Sequence, residues 1–263
     1  MVTWSTATDW DNAASETGVE HTTQGDRTDD AAVRLGYATD WLPASLELLY
    51  VMDESSSPVV DYSGNNRDGT PDSATFDVSG IHGTTGITLT QGNDITSASF
   101  APFGTAATIA VWLNLNSIPG TLANEYICEF YENNDHRAGI LARSGSNGLT
   151  FWLEDGSLNL NPSPASETPT AGQYDLVVLA LDNSSAELYL NDNQVNSDSY
   201  SASFSNIGNG EFVVNDWQND GGNGIDADYE VAMMFSEKLS RSQITDLYDA
   251  GTGGEIITSG KTV

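Results

Sequence analysis

From Leu46 onward, short apolar runs alternate with turn-forming clusters, which is the pattern of antiparallel strands. LELLYVMD opens the series, and TFDVSG and GITLT follow, with Gly80, Gly83 and Gly86 as turn signals. In TIAVWLNLN, period-2 alternation places Ile109, Val111, Leu113 and Leu115 on one face and Ala110, Trp112 and Asn114 on the other. YICEFYE, AGILARSG and LTFWLEDG come next, the last ending on an Asp155–Gly156 turn signal. YDLVVLALD and AELYLNDNQV predict a hairpin closed at Asn183–Ser184–Ser185, and EFVVNDW and YEVAMMF complete the set. NPSPASETP and NDGGNGIDAD read as loops. One helix is signalled: Ser240 is its N-cap, Gln243 completes a capping box, Ile244, Leu247 and Tyr248 form an apolar stripe, and Gly251 ends it.

This pattern predicts an all-β, two-sheet antiparallel sandwich with one short C-terminal helix. The first 42 residues differ: they are polar, acidic and aperiodic, yet carry Trp4, Trp10 and Trp41. Tryptophans are unusual in a solvated tail. They predict an extended arm (1–42) anchored by Trp4, Trp10, Val19 and Trp41 to the sandwich or to a sister subunit. The sandwich itself spans 43–253, and 254–263 reads as a tail.

Charge changes the picture more than length does. The chain of 263 residues carries 38 acids against 8 Lys+Arg, a net charge of −30, and its only lysines are Lys238 and Lys261. No basic cluster exists to neutralise phosphates, so a nucleic-acid role is excluded. The acids are spread through every segment, a pattern resembling proteins of extreme halophiles. In molar salt the Debye length falls to about 3 Å and the self-repulsion is screened. One cysteine, Cys128, rules out an internal disulfide, and its place in YICEFY reads as a core position. No run approaches a membrane span, so no membrane insertion is expected, and MVTWSTATDWDNAA has no signal-peptide character, so the chain is read either as a trimmed mature form or as one made without Sec or Tat export.

Four pieces, in order, resemble laminin-G-like domains of the concanavalin-A-like superfamily. They are LELLYVMDE with the loop DYSGNNRDGT, FAPFGTAATIAVWLNL, GQYDLVVLALDNSSAELYLNDNQV, and GIDADYEVAMMFSEKLSRSQITDLYDAG. Tyr174 stands where that family usually has Trp, and Asn191–Asp192 where it has Asn-Gly. The resemblance implies a jelly-roll sandwich and a binding or adhesion role rather than an enzyme. The leader DWDNAASETGVEH resembles those of secreted and viral proteins of haloarchaea. With no export signal, the expected place is the surface of a haloarchaeal virus particle, as a decoration, turret, spike or tail-fibre subunit. Its partners would be other virion proteins or sister copies in a homo-oligomer, and host-surface glycans. A cellular adhesion module is the alternative.

Candidate chemistry is sparse. Asp61, Asn65 and Asp68 lie in a tight Gly/Asn loop, and hard cations take carboxylate and carbonyl oxygens. The resemblance adds Asp226 or Glu230 to a calcium set. The competing reading is a loop whose side chains bond their own backbone, with Arg67 able to satisfy Asp68. For sugar, aromatic platforms beside amides and carboxylates are wanted; Trp217, Trp152 and Tyr131 with Asn134 and Asp135 are the candidates. Asp226, Asp228 and Glu230 alternate as laminarinase-like carboxylates do, but they begin with Asp and lie in the closing strand. His21, His82 and His136 sit in separate loops with no nucleophile or zinc pattern around them.

Overall fold

The structure is a computed structural model, and it describes residues 45–80, 85–117, 125–143, 148–202, 204, 207–216 and 223–252. The anchoring residues Trp4, Trp10, Val19 and Trp41, the sugar-site candidate Trp217, and His21 and His82 lie outside these. In chain order the strands are β1 (Leu46–Tyr50), β2 (Thr70–Pro71), β3 (Thr75–Ser79), β4 (Thr85–Leu89), β5 (Ile95–Thr96), β6 (Ala106–Ser117), β7 (Glu125–Asn133) and β8 (His136–Arg143). There follow β9 (Gly148–Asp155), β10 (Asn159–Leu160), β11 (Tyr174–Asp182), β12 (Ser185–Leu190), β13 (Asn193–Ser199), β14 (Glu211–Val214), β15 (Asp226–Phe235) and the helix α1 (Arg241–Thr252). No helix among the described residues is long and apolar enough to cross a membrane.

Two antiparallel sheets form a jelly-roll sandwich. The eight-stranded sheet runs β13-β12-β11-β6-β15-β4-β3, with β1 beside the far half of β15; the seven-stranded sheet runs β10-β9-β8-β7-β14-β5-β2. The alternation read in β6 is realised: Ile109, Val111, Leu113 and Leu115 face the shared core with Val177, Leu179 and Leu181 of β11. Ile127, Phe130, Ile140, Phe151, Leu153 and Phe212 meet them from the other sheet. Phe100 and Phe103 pack edge-on against Phe130 at 5.4 and 5.0 Å between ring centres. Cys128 is fully buried in this layer, and burial pushes its thiol well above the usual range, so it serves as a small core residue.

The outer face of the eight-stranded sheet is a second apolar layer. Ala110, Trp112, Val178, Val231, Met233 and Phe235 are covered by Leu239, Ile244 and Leu247. Tyr248 lies parallel to the Trp112 ring at 6.0 Å. The capping box that starts α1 is present, with Ser240 N donating to Gln243 Oε1 at 2.8 Å and Gln243 N to Ser240 Oγ at 3.4 Å. The helix runs to Thr252, one residue beyond the expected glycine stop.

Candidate functional site

The Asp61–Asp68 loop folds on itself. Asp61 is fully buried and its Oδ1 accepts from Leu49 N (3.1 Å) and Ser63 N (2.9 Å). Its Oδ2 accepts from Ser63 Oγ and Arg67 N, both at 2.9 Å. Asp68 Oδ1 takes the Asp61 amide at 2.9 Å, and Asn65 Nδ2 donates to Glu47 O at 3.0 Å. Arg67 does not satisfy Asp68: its guanidinium bridges to the Glu47 carboxylate at 2.9 Å and stacks on the Phe100 ring at 4.0 Å. Tyr50 Oη closes the loop onto Arg67 O at 2.7 Å.

Asp226 is not brought to the Asp61–Asp68 loop. Asp61 pairs with Tyr50, and Tyr50 with Ala232, whereas Asp226 lies six residues back along β15. At about 3.3 Å per residue that is roughly 20 Å, beyond the reach of one cation. Asp226 instead accepts from Gln91 N (3.1 Å) and Ser117 Oγ (3.3 Å). Among the described residues no three groups of metal-ligating type converge. Both oxygens of Asp61 and Oδ1 of Asp68 already face protein donors.

Asp226 and Asp228 of β15 point away from the shared core, opposite to Ala227 and Tyr229. A bulge between Tyr229 and Val231 breaks the alternation. Tyr229 points into the shared core, with its Oη on Asn215 Oδ1 at 2.8 Å. Asp228 faces the opposite way, taking hydrogen bonds from Thr88 Oγ1 (2.6 Å) and Asn116 Nδ2 (2.9 Å). Burial, and then Glu230 and Asp228, push the Tyr174 hydroxyl upward, which places both acids near that ring on the outer face of the eight-stranded sheet.

The outer face of the seven-stranded sheet carries the polar residues instead. Register aligns Asn159, Glu154, Arg137, Tyr131 and Glu211 in one row across β10, β9, β8, β7 and β14. The next row holds Trp152, Gly139, Glu129 and Val213. Arg137 Nε donates to Glu154 Oε2 at 2.5 Å, and its guanidinium stacks on Trp152 at 4.0 Å from the ring centre. Asn159 Nδ2 donates to the other Glu154 oxygen. Trp152 is half-buried, and its Nε1, like Glu211 Oε2, has no hydrogen-bond partner. The β7–β8 turn stands at the end of this face. Tyr131 Oη donates to Asn134 Oδ1 at 3.2 Å, Asn134 and Asp135 are exposed, and Gly156 N binds Asp135 O at 2.6 Å. His136 Nδ1 lies 3.2 Å from Glu132.

Of the sugar-site candidates, Tyr131, Asn134 and Asp135 therefore come together, and Trp152 stands one row away on the same face. Arg137, Glu154, Asn159 and Glu211 were not anticipated. Their signal was present: each is a polar residue on an otherwise apolar strand, at a parity that faces away from the core.

An all-β sandwich with helix on one outer face and a polar, tryptophan-bearing row on the other defines a lectin-like binding architecture. The chain belongs to the concanavalin A-like lectin/glucanases superfamily, whose laminin G family matches residues 82–245. No curated protein sequence matches it. Among solved structures it is similar to domain 4 of AbnA, a GH43 extracellular arabinanase from Geobacillus stearothermophilus in complex with arabinotriose. That match has 15% identity, covers 78% of this chain and 98% of that one, and has a TM-score of 0.65. Botulinum neurotoxin type C, whose cell entry depends on two ganglioside molecules, matches at 16% identity over 79% of this chain and 51% of that one, with a TM-score of 0.60. The binding domain of Paraclostridial Mosquitocidal Protein 1 matches at 15% identity over 78% and 52%, with a TM-score of 0.59. The chain thus spans about half the length of these last two chains. At such identities the likeness is one of fold.

Proposed function

We propose that the protein is a non-catalytic glycan-binding sandwich on the surface of a halophilic archaeal virus, where it contacts host-surface sugars. A decoration, turret, spike or tail-fibre subunit, associated with sister copies or other virion proteins, is the form this takes. The observation that carries the glycan reading is the Trp152–Arg137–Glu154 group beside the exposed Asn134–Asp135 turn, on the sheet face away from α1. A ring, hydrogen-bonding groups of both signs and an open rim are what a sugar needs. The arabinotriose complex of one similar fold, and the dependence of another on ganglioside for cell entry, support it by analogy of fold.

Trp152→Ala should reduce binding to an oligosaccharide array, with arabinotriose among the probes, by at least about tenfold while leaving the fold intact. Unchanged binding would move the site elsewhere. Detection of the chain in purified virus particles by mass spectrometry tests the virion setting, and its confinement to the cell envelope would overturn it.

The halophilic setting rests on the net charge of −30 with almost no lysine. Dialysis from molar salt into dilute buffer is expected to unfold the protein, because about 10 Å of Debye length replaces about 3 Å and self-repulsion returns. Near-UV circular dichroism reads the loss. A melting curve unchanged between the two buffers would refute the reading.

A further inference from the structure

We propose that Asn183, at the tip of the β11–β12 hairpin, is a site of N-linked glycosylation, and that the attached glycan shields the neighbouring edge strand β13. The proposal stands independently of the sugar-binding reading above.

Oligosaccharyl transferases take the asparagine of Asn-X-Ser/Thr when X is not Pro. Asn183–Ser184–Ser185 is the one such triplet in the chain; Asn161–Pro162–Ser163 has the disqualifying Pro. The triplet forms the turn between Asp182, the last residue of β11, and Ser185, the first of β12. Ser184 is exposed and Asn183 half-buried. A surface turn is where an acceptor of this kind has to lie.

The turn keeps its shape with groups that the modification does not consume. Asp182 Oδ1 accepts from Ser184 N (2.7 Å), Ser184 Oγ (2.6 Å) and Ser185 N (2.9 Å). Asn183 N donates to Thr105 O at 3.2 Å, and Asn183 O accepts from Ala202 N at 3.0 Å. Asn183 Oδ1 accepts from Phe204 N at 3.1 Å. The transfer uses only Nδ2, which carries two hydrogens. The donor is a lipid-linked sugar phosphate. The bond between sugar C1 and the phosphate oxygen breaks, and its electron pair leaves with the lipid phosphate. C1 bonds to Nδ2, which gives up one proton to the departing phosphate. Oδ1 accepts from Phe204 N as before, so the hairpin carries the sugar without refolding.

The neighbouring strand gives the glycan a use. β13 is the end strand of the eight-stranded sheet, and Ser199 at its close pairs with Ser185. Its sequence NQVNSDS holds a single charge, Asp198, and neither Lys nor Pro. Charge and Pro are the usual guards against edge-to-edge pairing between copies. Molar salt shortens the Debye length to about 3 Å, so the net charge of −30 is a weak barrier there. A hydrated sugar rooted beside β13 blocks a second copy by its bulk, at any salt.

The test uses full-length protein isolated in molar salt from the host that naturally makes it. Intact-mass and peptide mass spectrometry should find added sugar residues on the peptide that carries Asn183. Asn183→Gln and Ser185→Ala, made in the same host, should each lose the added mass. Ser185→Thr should keep it, because the transferase needs only the hydroxyl. An unmodified Asn183, or added mass that survives both substitutions, overturns the site. Melting curves confirm that the variants fold. Light scattering in molar salt then reads the shielding. Folded, sugar-free Asn183→Gln and Ser185→Ala should shift to larger species at concentrations where the wild type and Ser185→Thr do not. Equal size distributions overturn the shielding role and leave the site standing.

Discussion

Asp61→Asn should cost about 2–4 kcal/mol of stability, because an amide in either orientation turns an N–H group toward backbone N–H donors. Four donors now converge on the two carboxylate oxygens: Leu49 N, Ser63 N, Ser63 Oγ and Arg67 N. The side chain is fully buried, so water cannot replace what is lost. A drop of roughly 5–12 °C in the melting temperature, measured in molar salt, is the corresponding shift. Because these contacts need no cation, a chelator should leave the wild-type melting temperature where it is. A fall with chelator as large as that caused by the substitution would return the loop to the cation reading. A neutral Asp61→Asn would refute the clamp.

Asn215→Ala should be at least as damaging, at about 3–5 kcal/mol. Its Oδ1 accepts from Ile225 N at 3.0 Å and Tyr229 Oη at 2.8 Å, and its Nδ2 donates to Thr90 O at 3.1 Å and Asn93 O at 3.0 Å. One side chain thus uses its full capacity to join the end of β14, the β4–β5 turn and the entry to β15. Its backbone φ of 78° lies in the left-handed region, which alanine disfavours by about 1–2 kcal/mol. Asn215→Gly relaxes the backbone and still loses the side chain, so it should recover about 1 kcal/mol relative to alanine. Tyr229→Phe removes one of the four contacts and should cost about 1–2 kcal/mol. Denaturant unfolding of the three variants separates these contributions. Equal stability of Asn215→Ala and wild type would show that the network carries no weight.

Much of the architecture was legible because it rests on local rules. The β6 alternation named the core-facing residues one by one, and Ser240 with Gln243 announced the helix. The hairpin at Asn183–Ser184–Ser185 could be read because Asp182 Oδ1 holds the amides of Ser184 and Ser185, a bond set within four residues. What stayed hidden depends on neighbours far apart in sequence. The short strands β2, β5 and β10 exist only as partners of others, with two residues each. The row from Asn159 to Glu211 is assembled from five strands, and no local spacing encodes its register. The bulge between Tyr229 and Val231 in β15 has no local signal. EFVVNDW was read as one strand, but the left-handed Asn215 ends β14 at Val214. The self-bonded turn, one of two readings of the Asp61 loop, is what the backbone and side chains form, and both Asp61 oxygens face protein donors.

The helix that closes the outer face of the eight-stranded sheet has a further consequence. With one face of the sandwich sealed by Leu239, Ile244 and Leu247, the proposed sugar site would give each copy a single grip. A lone grip on a sugar is short-lived. Holding many copies at fixed spacing raises the effective concentration of the next site to the millimolar range and can multiply overall avidity by about 10²–10⁴. Attachment strength then becomes a property of copy number and spacing, tunable without altering a single contact in the site.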